Sequence, residues 1–301
     1  MCTWDHSLKT NRLSQKTMLI TFIGAGNLAT NLCKAAKDAG HNIRQIYSRT
    51  EESAATLAHI VGAPYTIDLT TINMESDIYI VSVKDDVLQN VANRLRERVG
   101  ERLIVHTAGS MPMDVIPPSR RGVFYPMQTF SRKKTVNFRD IPCFLEASNP
   151  MDLAFLHEFA ASVSSSIHDM GSNDRRYLHL AAVFCCNFAN HCYAIGAELL
   201  RAHGNIPFEV MLPLISETAC KLRQLSPEQA QTGPAVRWDT NVIDKHISLL
   251  SETRQWQDIY RLLSQSIHDM SSSEDNDASF IEHPFIYPQY DDASNCNSSN
   301  K

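Results

Sequence analysis

Residues 18–50, MLITFIGAGNLATNLCKAAKDAGHNIRQIYSRT, restrict what this chain can fold into more than any other stretch. The apolar run 19–23 reads as a buried strand, 27–39 has helical character, Gly40 stops that helix, and 43–47 reads as a second strand. Between the first strand and the helix lies Gly24-Ala25-Gly26-Asn27-Leu28-Ala29, a G-x-G-x-x-A turn. Gly24 permits a tight turn, Gly26 lets a pyrophosphate approach the backbone, and Ala29 lets the helix pack close on the sheet. The helix N-terminus then offers free N–H groups and a positive dipole end to phosphates. Alone the motif is weak, but here strand, turn, helix, stop and second strand follow in order. The stretch predicts a β-α-β unit that binds a dinucleotide.

The end of the second strand selects among dinucleotides. A site for NAD usually has Asp or Glu near this point, bonding the ribose 2′-hydroxyl. This chain has Ser48-Arg49-Thr50 instead, with no carboxylate before Glu51. Arg49 can grip a 2′-phosphate in a charge-assisted fork, and the two hydroxyls can add hydrogen bonds. NADP(H) is therefore the expected cofactor, with a solvated surface Arg49 as the alternative.

Downstream, the pattern predicts an α/β fold with a parallel sheet wrapped on both faces. Helix 51–61, strand 77–83, a helix ending at Val99, strand 102–106 and strand 122–125 alternate, and strand 141–146, helix 151–164 and strand 167–170 extend them. Ligands in such sheets bind beyond the carboxyl ends of the strands. That places Ser82, Val83 and Lys84, then His106 and Thr107, on the cofactor side, with Tyr125 and Gln128 at the same mouth. Beyond Gly171 only helices are expected: 173–202, 207–224, 241–252 and 255–270. The expected domains are an extension over 1–17, a Rossmann NADP-binding domain over 18–171, a helical domain over 172–270 and a disordered acidic tail over 271–301.

Charge and cysteines narrow the function classes. The net charge of −5 resides in residues 271–301, which hold six acids and one base and leave 27 of each in the body. Nothing in that balance recommends a nucleic-acid or anionic membrane surface. The eight cysteines show no metal-ligand spacing, so no metal is expected. Cys185, Cys186 and Cys192 sit in an apolar helical stretch and are expected in a core, as suits a reducing cytoplasm. No apolar run is read as long enough to span a membrane, and residues before Met18 carry no secretory signal.

The segments GAGNLA, VHTAGS, FYPMQTFS and TGPAVRWDTNVIDKHISLL together resemble a family of bacterial Rossmann-like NADP oxidoreductases whose C-terminal half is a helical domain of unknown function. That family is related in architecture to pyrroline-5-carboxylate reductase, deazaflavin-dependent NADP oxidoreductase and the 6-phosphogluconate dehydrogenase superfamily. The resemblance covers roughly residues 18–270. It implies a Rossmann-type domain followed by an all-α domain of the 6-phosphogluconate dehydrogenase C-terminal type. It also implies a homodimer through the helical domain, an active site between domains, and no particular substrate.

Hydroxyacid dehydrogenases of the superfamily carry a catalytic Lys one helical turn before an Asn. Asn187 can take the Asn position, but the residue four earlier is Val183, not lysine. His179 lies one turn further back, so on an α-helix His179, Val183 and Asn187 would share a face. His179 can act as proton donor to a carbonyl or imine receiving hydride, with Asn187 orienting the substrate. The alternative is a packing histidine. His106 is the rival acid, or else a brace for its own loop. Arg237 and Asp239 are expected to pair with each other, with binding of a substrate carboxylate as the alternative, and His246 to pack. The expected function is hydride transfer between NADP(H) and a small carbonyl or imine. The alternatives are a non-catalytic NADP-binding sensor or scaffold, a deazaflavin-dependent NADP oxidoreductase, and a pyrroline-5-carboxylate reductase, the last disfavoured by the lack of a Gly-Gly-Thr-Thr-like segment near Thr232-Gly233.

Overall fold

The structure is a computed structural model and describes residues 16–131 and 136–272. Most of the expected N-terminal extension and acidic tail therefore lies outside the described residues. By internal contacts the chain divides into two units, the first ending at Asn187 and the second beginning at Phe188.

The first unit is built on one eight-stranded sheet. Its strands are β1 (Leu19–Ile23), β2 (Asn42–Tyr47), β3 (Tyr65–Thr66), β4 (Ile78–Val81), β5 (Leu103–His106), β6 (Arg121–Pro126), β7 (Cys143–Ala147) and β8 (Ile167–Asp169). Their spatial order is β3-β2-β1-β4-β5-β6-β7-β8. The order reverses between β1 and β4, the switch point at which such sheets bind nucleotides. Four helices cover the faces: α1 (Asn27–Asp38), α2 (Glu51–Val61), α3 (Asp85–Val99) and α4 (Pro150–Val163). β1, β4 and β5 are apolar runs with nearly every residue buried, as a sheet covered on both sides requires. Two features depart from the sequence expectation. The two-residue β3 is too short to leave a periodic signal. β7 runs antiparallel to β6, and among the described residues between them a single 3-10 turn is the only helical element, with no crossover helix.

The all-helical part opens with α5 (Ser172–Ala182), followed by a π-helical turn (Val183–Phe188) and α6 (Ala189–Ala202). The division into units falls within this continuous helical run, later than the expected boundary at 171, because side chains of α5 are tied to the sheet. The second unit continues with α7 (Leu212–Lys221), α8 (Pro227–Ala230), α9 (Thr240–Leu249) and α10 (Arg254–Ser272). Among the described residues its interior is thin: Ala235, Ile243 and Leu250 are buried apolar residues, while α6 and α7 bury no side chain. Cys185, Cys186 and Cys192 are accordingly exposed, not packed in a core as their apolar setting suggested. Contrary to the sequence reading, the run Ser172–Ala202 is long and apolar enough, by length and composition alone, to cross a membrane. Its first turns are instead committed to the sheet, as shown next.

Candidate functional site

The parallel strands end in one row. Register pairs Tyr47 with Ile23, Ile23 with Val81, Val81 with His106 and His106 with Val123. The residues just past that row therefore share one edge: Ser48-Arg49-Thr50, Gly24-Ala25-Gly26, Ser82-Val83-Lys84, Thr107 and, two positions along β6, Tyr125. Backbone bonds stitch the edge together, from the N–H of Gly24 to the carbonyl of Tyr47 (2.8 Å), of Ser82 to Ile23 (2.8 Å) and of Thr107 to Val81 (3.2 Å).

The two motif glycines differ in what they permit. Gly24 has φ +119°, and a Cβ there would lie 2.1 Å from the Ser82 carbonyl oxygen, so the turn closes only around glycine. A Cβ on Gly26 would meet nothing within 4 Å. That side of the turn is open, as backbone approached by a pyrophosphate must be. Gly26 caps α1 with no side-chain hydrogen bond, leaving the first-turn N–H groups uncovered by a capping side chain. Ala29 is fully buried under the sheet. The Asn27 amide donates to the Phe130 carbonyl (3.1 Å), and Asn31 donates to Ser131 (3.3 Å), which ties the FYPMQTFS loop to the same helix. Sequence spacing gave no sign of that tie. In that loop Gln128 accepts from the N–H of its neighbour Thr129 (2.8 Å). Arg49 and Thr50 are exposed, Ser48 is half-buried, and Arg49 makes no hydrogen bond or ion pair among the described residues.

His106 stands at the centre of the row but is fully buried, and both its ring nitrogens are engaged. The Ala108 N–H donates to Nδ1 and the Pro112 carbonyl faces Nε2, each at 3.2 Å. Burial, with the nearby Arg175 charge, pushes its pKa down to about 3, so the ring is neutral. The ring braces the VHTAGS loop and has no nitrogen to spare for a substrate. The loop is further pinned to the start of α3 by the Ser110 hydroxyl, which donates to Asp85.

His179 is placed differently. α5 starts at Ser172, whose hydroxyl donates to Glu146 on β7 (2.7 Å) and accepts from the Met113 N–H (2.9 Å). Arg175, at 0 % exposure, donates to Glu146 (2.5 Å), the Met111 carbonyl (2.7 Å) and Ser172 (3.1 Å). A buried guanidinium with a carboxylate partner and two further acceptors is a strong clasp. One turn on from Arg175, His179 reaches β6, where the Tyr125 hydroxyl lies 3.1 Å from Nδ1. The rings meet edge-on with centroids 6.1 Å apart. Gly109 makes the meeting possible, since a Cβ there would come within 2.7 Å of both His179 Nδ1 and Tyr125 Cζ. The small residues after His106 thus accommodate this pair of side chains. Desolvation raises the Tyr125 phenol pKa, an effect that Arg175 opposes and Cys186 adds to.

Asn187 does not stay on the His179 stripe. The intervening turn Val183–Phe188 is π-helical, and its wider i→i+5 spacing breaks the i, i+4, i+8 register on which the shared face depended. Asn187 is exposed. The expected Arg237–Asp239 pair is absent among the described ion pairs, and Asp239 instead caps α9 by accepting from the Val242 N–H (3.3 Å). His246 packs edge-on against Tyr260, with a 2.8 Å hydrogen bond between them. The Tyr125–His179 contact and the Arg175 clasp both escaped the sequence. The only hint was Arg175 and His179 standing four apart, which on a helix puts them on one face.

Residues 19–109 match the family described as NADP oxidoreductase coenzyme F420-dependent, and residues 141–267 match a domain of unknown function, DUF2520. No curated protein matches the chain. Among solved structures, a putative NADP oxidoreductase from Bacteroides fragilis is 52% identical with a TM-score of 0.77, and the match covers 84% of this chain and 98% of that one. A Thermotoga maritima protein is 22% identical with a TM-score of 0.65, covering 85% of this chain and 100% of that one. An imine reductase from Myxococcus stipitatus, in complex with NADP+, is 16% identical with a TM-score of 0.59, covering 84% and 93%. These last two share the fold.

Proposed function

This chain belongs to the family of NADP oxidoreductases that the Bacteroides fragilis protein represents, and from that premise we propose that it transfers hydride between NADP(H) and a small carbonyl or imine. The observation that carries the proposal is the shared strand edge, where the glycine turn, Arg49 and the Tyr125–His179 pair all lie at carboxyl ends of the sheet. The residues fit the cofactor. Gly24, Ala25, Gly26, Asn27, Leu28 and Ala29 would cradle the pyrophosphate, with open space at Gly26. Ser48, Arg49 and Thr50 would hold the 2′-phosphate through hydroxyls and an uncommitted guanidinium. Ser82, Val83, Lys84 and Thr107 would border the remainder. When bound, the nicotinamide supplies or accepts the hydride.

The protein's part is the proton. His179 has its Nε2 free of hydrogen bonds among the described residues, whereas His106 has both nitrogens engaged. We therefore assign proton transfer to His179 and a bracing role to His106. Following NADPH consumption over a panel of small carbonyls and imines tests this. Removing a general acid typically costs 10²–10⁴-fold, so His179→Gln should lower kcat by about a hundredfold with NADPH affinity intact. NADPH binding without turnover by the unaltered protein across the whole panel would favour a sensor instead.

We further propose that the working form is a homodimer joined through the helical unit. Leu214, Leu249 and Leu262 are 60%, 76% and 71% exposed, and α6 and α7 bury nothing. Leu214 and Leu249 line one apolar groove, the kind of surface a monomer seldom leaves in water.

A further inference from the structure

We propose that Tyr125 is a positioning residue that keeps Nε2 of His179 as the nitrogen exchanging protons at this site. The proposal rests on the hydride-transfer reading above and adds to it the group that governs the acid.

Among the described residues His179 has one hydrogen-bond partner. Its Nδ1 lies 3.1 Å from the Tyr125 hydroxyl, and Nε2 has no partner among the described residues. Tyr125 is itself anchored: it sits in β6, is 8% exposed, and packs against Phe144 of β7 with ring centroids 6.3 Å apart. The Gly109 backbone fills the angle between the two rings so closely that a methyl group would collide with both. On the helix side, the Arg175 clasp to Glu146, Met111 and Ser172 fixes α5 one turn before His179.

A phenol suits this position because its oxygen can accept from Nδ1–H while the ring exchanges a proton at Nε2. Toward an imidazolium it accepts from Nδ1–H. Once Nε2 has given up its proton, the neutral ring keeps Nδ1–H and the phenol oxygen still accepts from it. The same ring orientation is thus hydrogen-bonded in either protonation state, and no ring flip is needed when the proton leaves. In the reductive direction the His179 Nε2–H bond breaks, its electron pair stays on Nε2, and an O–H or N–H bond forms on the substrate. Carbon receives the hydride from the cofactor.

Tyr125→Phe removes the hydroxyl and keeps the ring that packs on Phe144. Two readouts apply, on the full chain. The first is the two-bond 15N–1H spectrum of the histidine rings, with His179 assigned by its loss in His179→Gln. We expect the Nδ1 resonance of His179 at a hydrogen-bonded position in the unaltered protein and displaced in Tyr125→Phe, with Nε2 nearly unmoved. The second is kinetic. Loss of one such hydrogen bond corresponds to about a tenfold fall in kcat, with NADPH affinity and KM little changed. An Nδ1 resonance at the free position in the unaltered protein would overturn the contact, whether or not the variant folds. An unchanged kcat in a folded Tyr125→Phe would overturn its role in the reaction. Absence of turnover by the unaltered protein would count against the hydride-transfer reading alone, since the Nδ1 resonance still decides the contact.

Discussion

At the scale of single residues, the chain's most demanding positions are those where one atom more would not fit. Gly24 combines φ +119° with a carbonyl 2.1 Å from any Cβ, so Gly24→Ala should destabilise the fold by about 3 kcal/mol, read as a lower urea midpoint. A Cβ on Gly26 would meet nothing within 4 Å, so Gly26→Ala should leave the midpoint nearly unchanged and weaken cofactor binding instead. Equal stability losses at the two glycines would contradict the division of labour between them. Arg175 is the opposite case, a charge at 0 % exposure whose loss strands Glu146, and Arg175→Met should cost about 3–5 kcal/mol. The glycines were legible because the turn they make falls between a strand and a helix that are adjacent in sequence, although the Ser82 carbonyl that crowds Gly24 was not. Arg175 was not, because its partners Glu146 and Met111 come from distant segments and nothing in their spacing announces a clasp.

At the scale of elements, helices and strands were legible wherever period and stop signals agreed. Helix α2 occupies 51–61 as expected, with Gly62 in the left-handed conformation that ends it. The misreadings arose where geometry changes without a change of composition. The π turn at Val183–Phe188 carries an ordinary apolar sequence, yet it removes Asn187 from the His179 face. The antiparallel β7 is apolar like its neighbours and betrays no direction. Elements are also joined by neutral histidines. His41 accepts from the Met18 N–H (3.2 Å) and bonds the Ser162 hydroxyl (2.8 Å), linking the start of β1 to α4, and burial lowers its pKa. His106 is lowered from 6.5 to about 3. Unfolded, both rings take up a proton near pH 6.5; folded, they resist it. Stability should therefore be level above pH 7 and fall below pH 6.5 by up to about 1.4 kcal/mol per pH unit for each ring. Urea midpoints measured from pH 8 to pH 5 check this, and a midpoint that rises on acidification would contradict it.

At the scale of the whole molecule, the Rossmann-type sheet domain and the helical region that follows were both legible, since strand–helix alternation stops where helix-only periodicity begins. The boundary itself was not. The structure divides the chain after Asn187, because Arg175 and His179 bind the first turns of the long helix to the sheet unit. The helical unit's scant interior leads to a prediction about assembly. Light scattering should give twice the chain mass at micromolar concentration, and Leu214→Glu combined with Leu249→Glu should shift the population toward monomer. A monodisperse monomer from the unaltered chain would refute that assembly. We propose that a 2′-phosphorylated adenosine ribose rests against Arg49 while its pyrophosphate lies over the glycine turn, and calorimetric titration with NADPH and NADH decides it. NADPH should bind at least about tenfold more tightly, and Arg49→Ala should remove most of that difference while leaving NADH affinity unchanged. Equal affinities for the two coenzymes, or no heat with either, would contradict it.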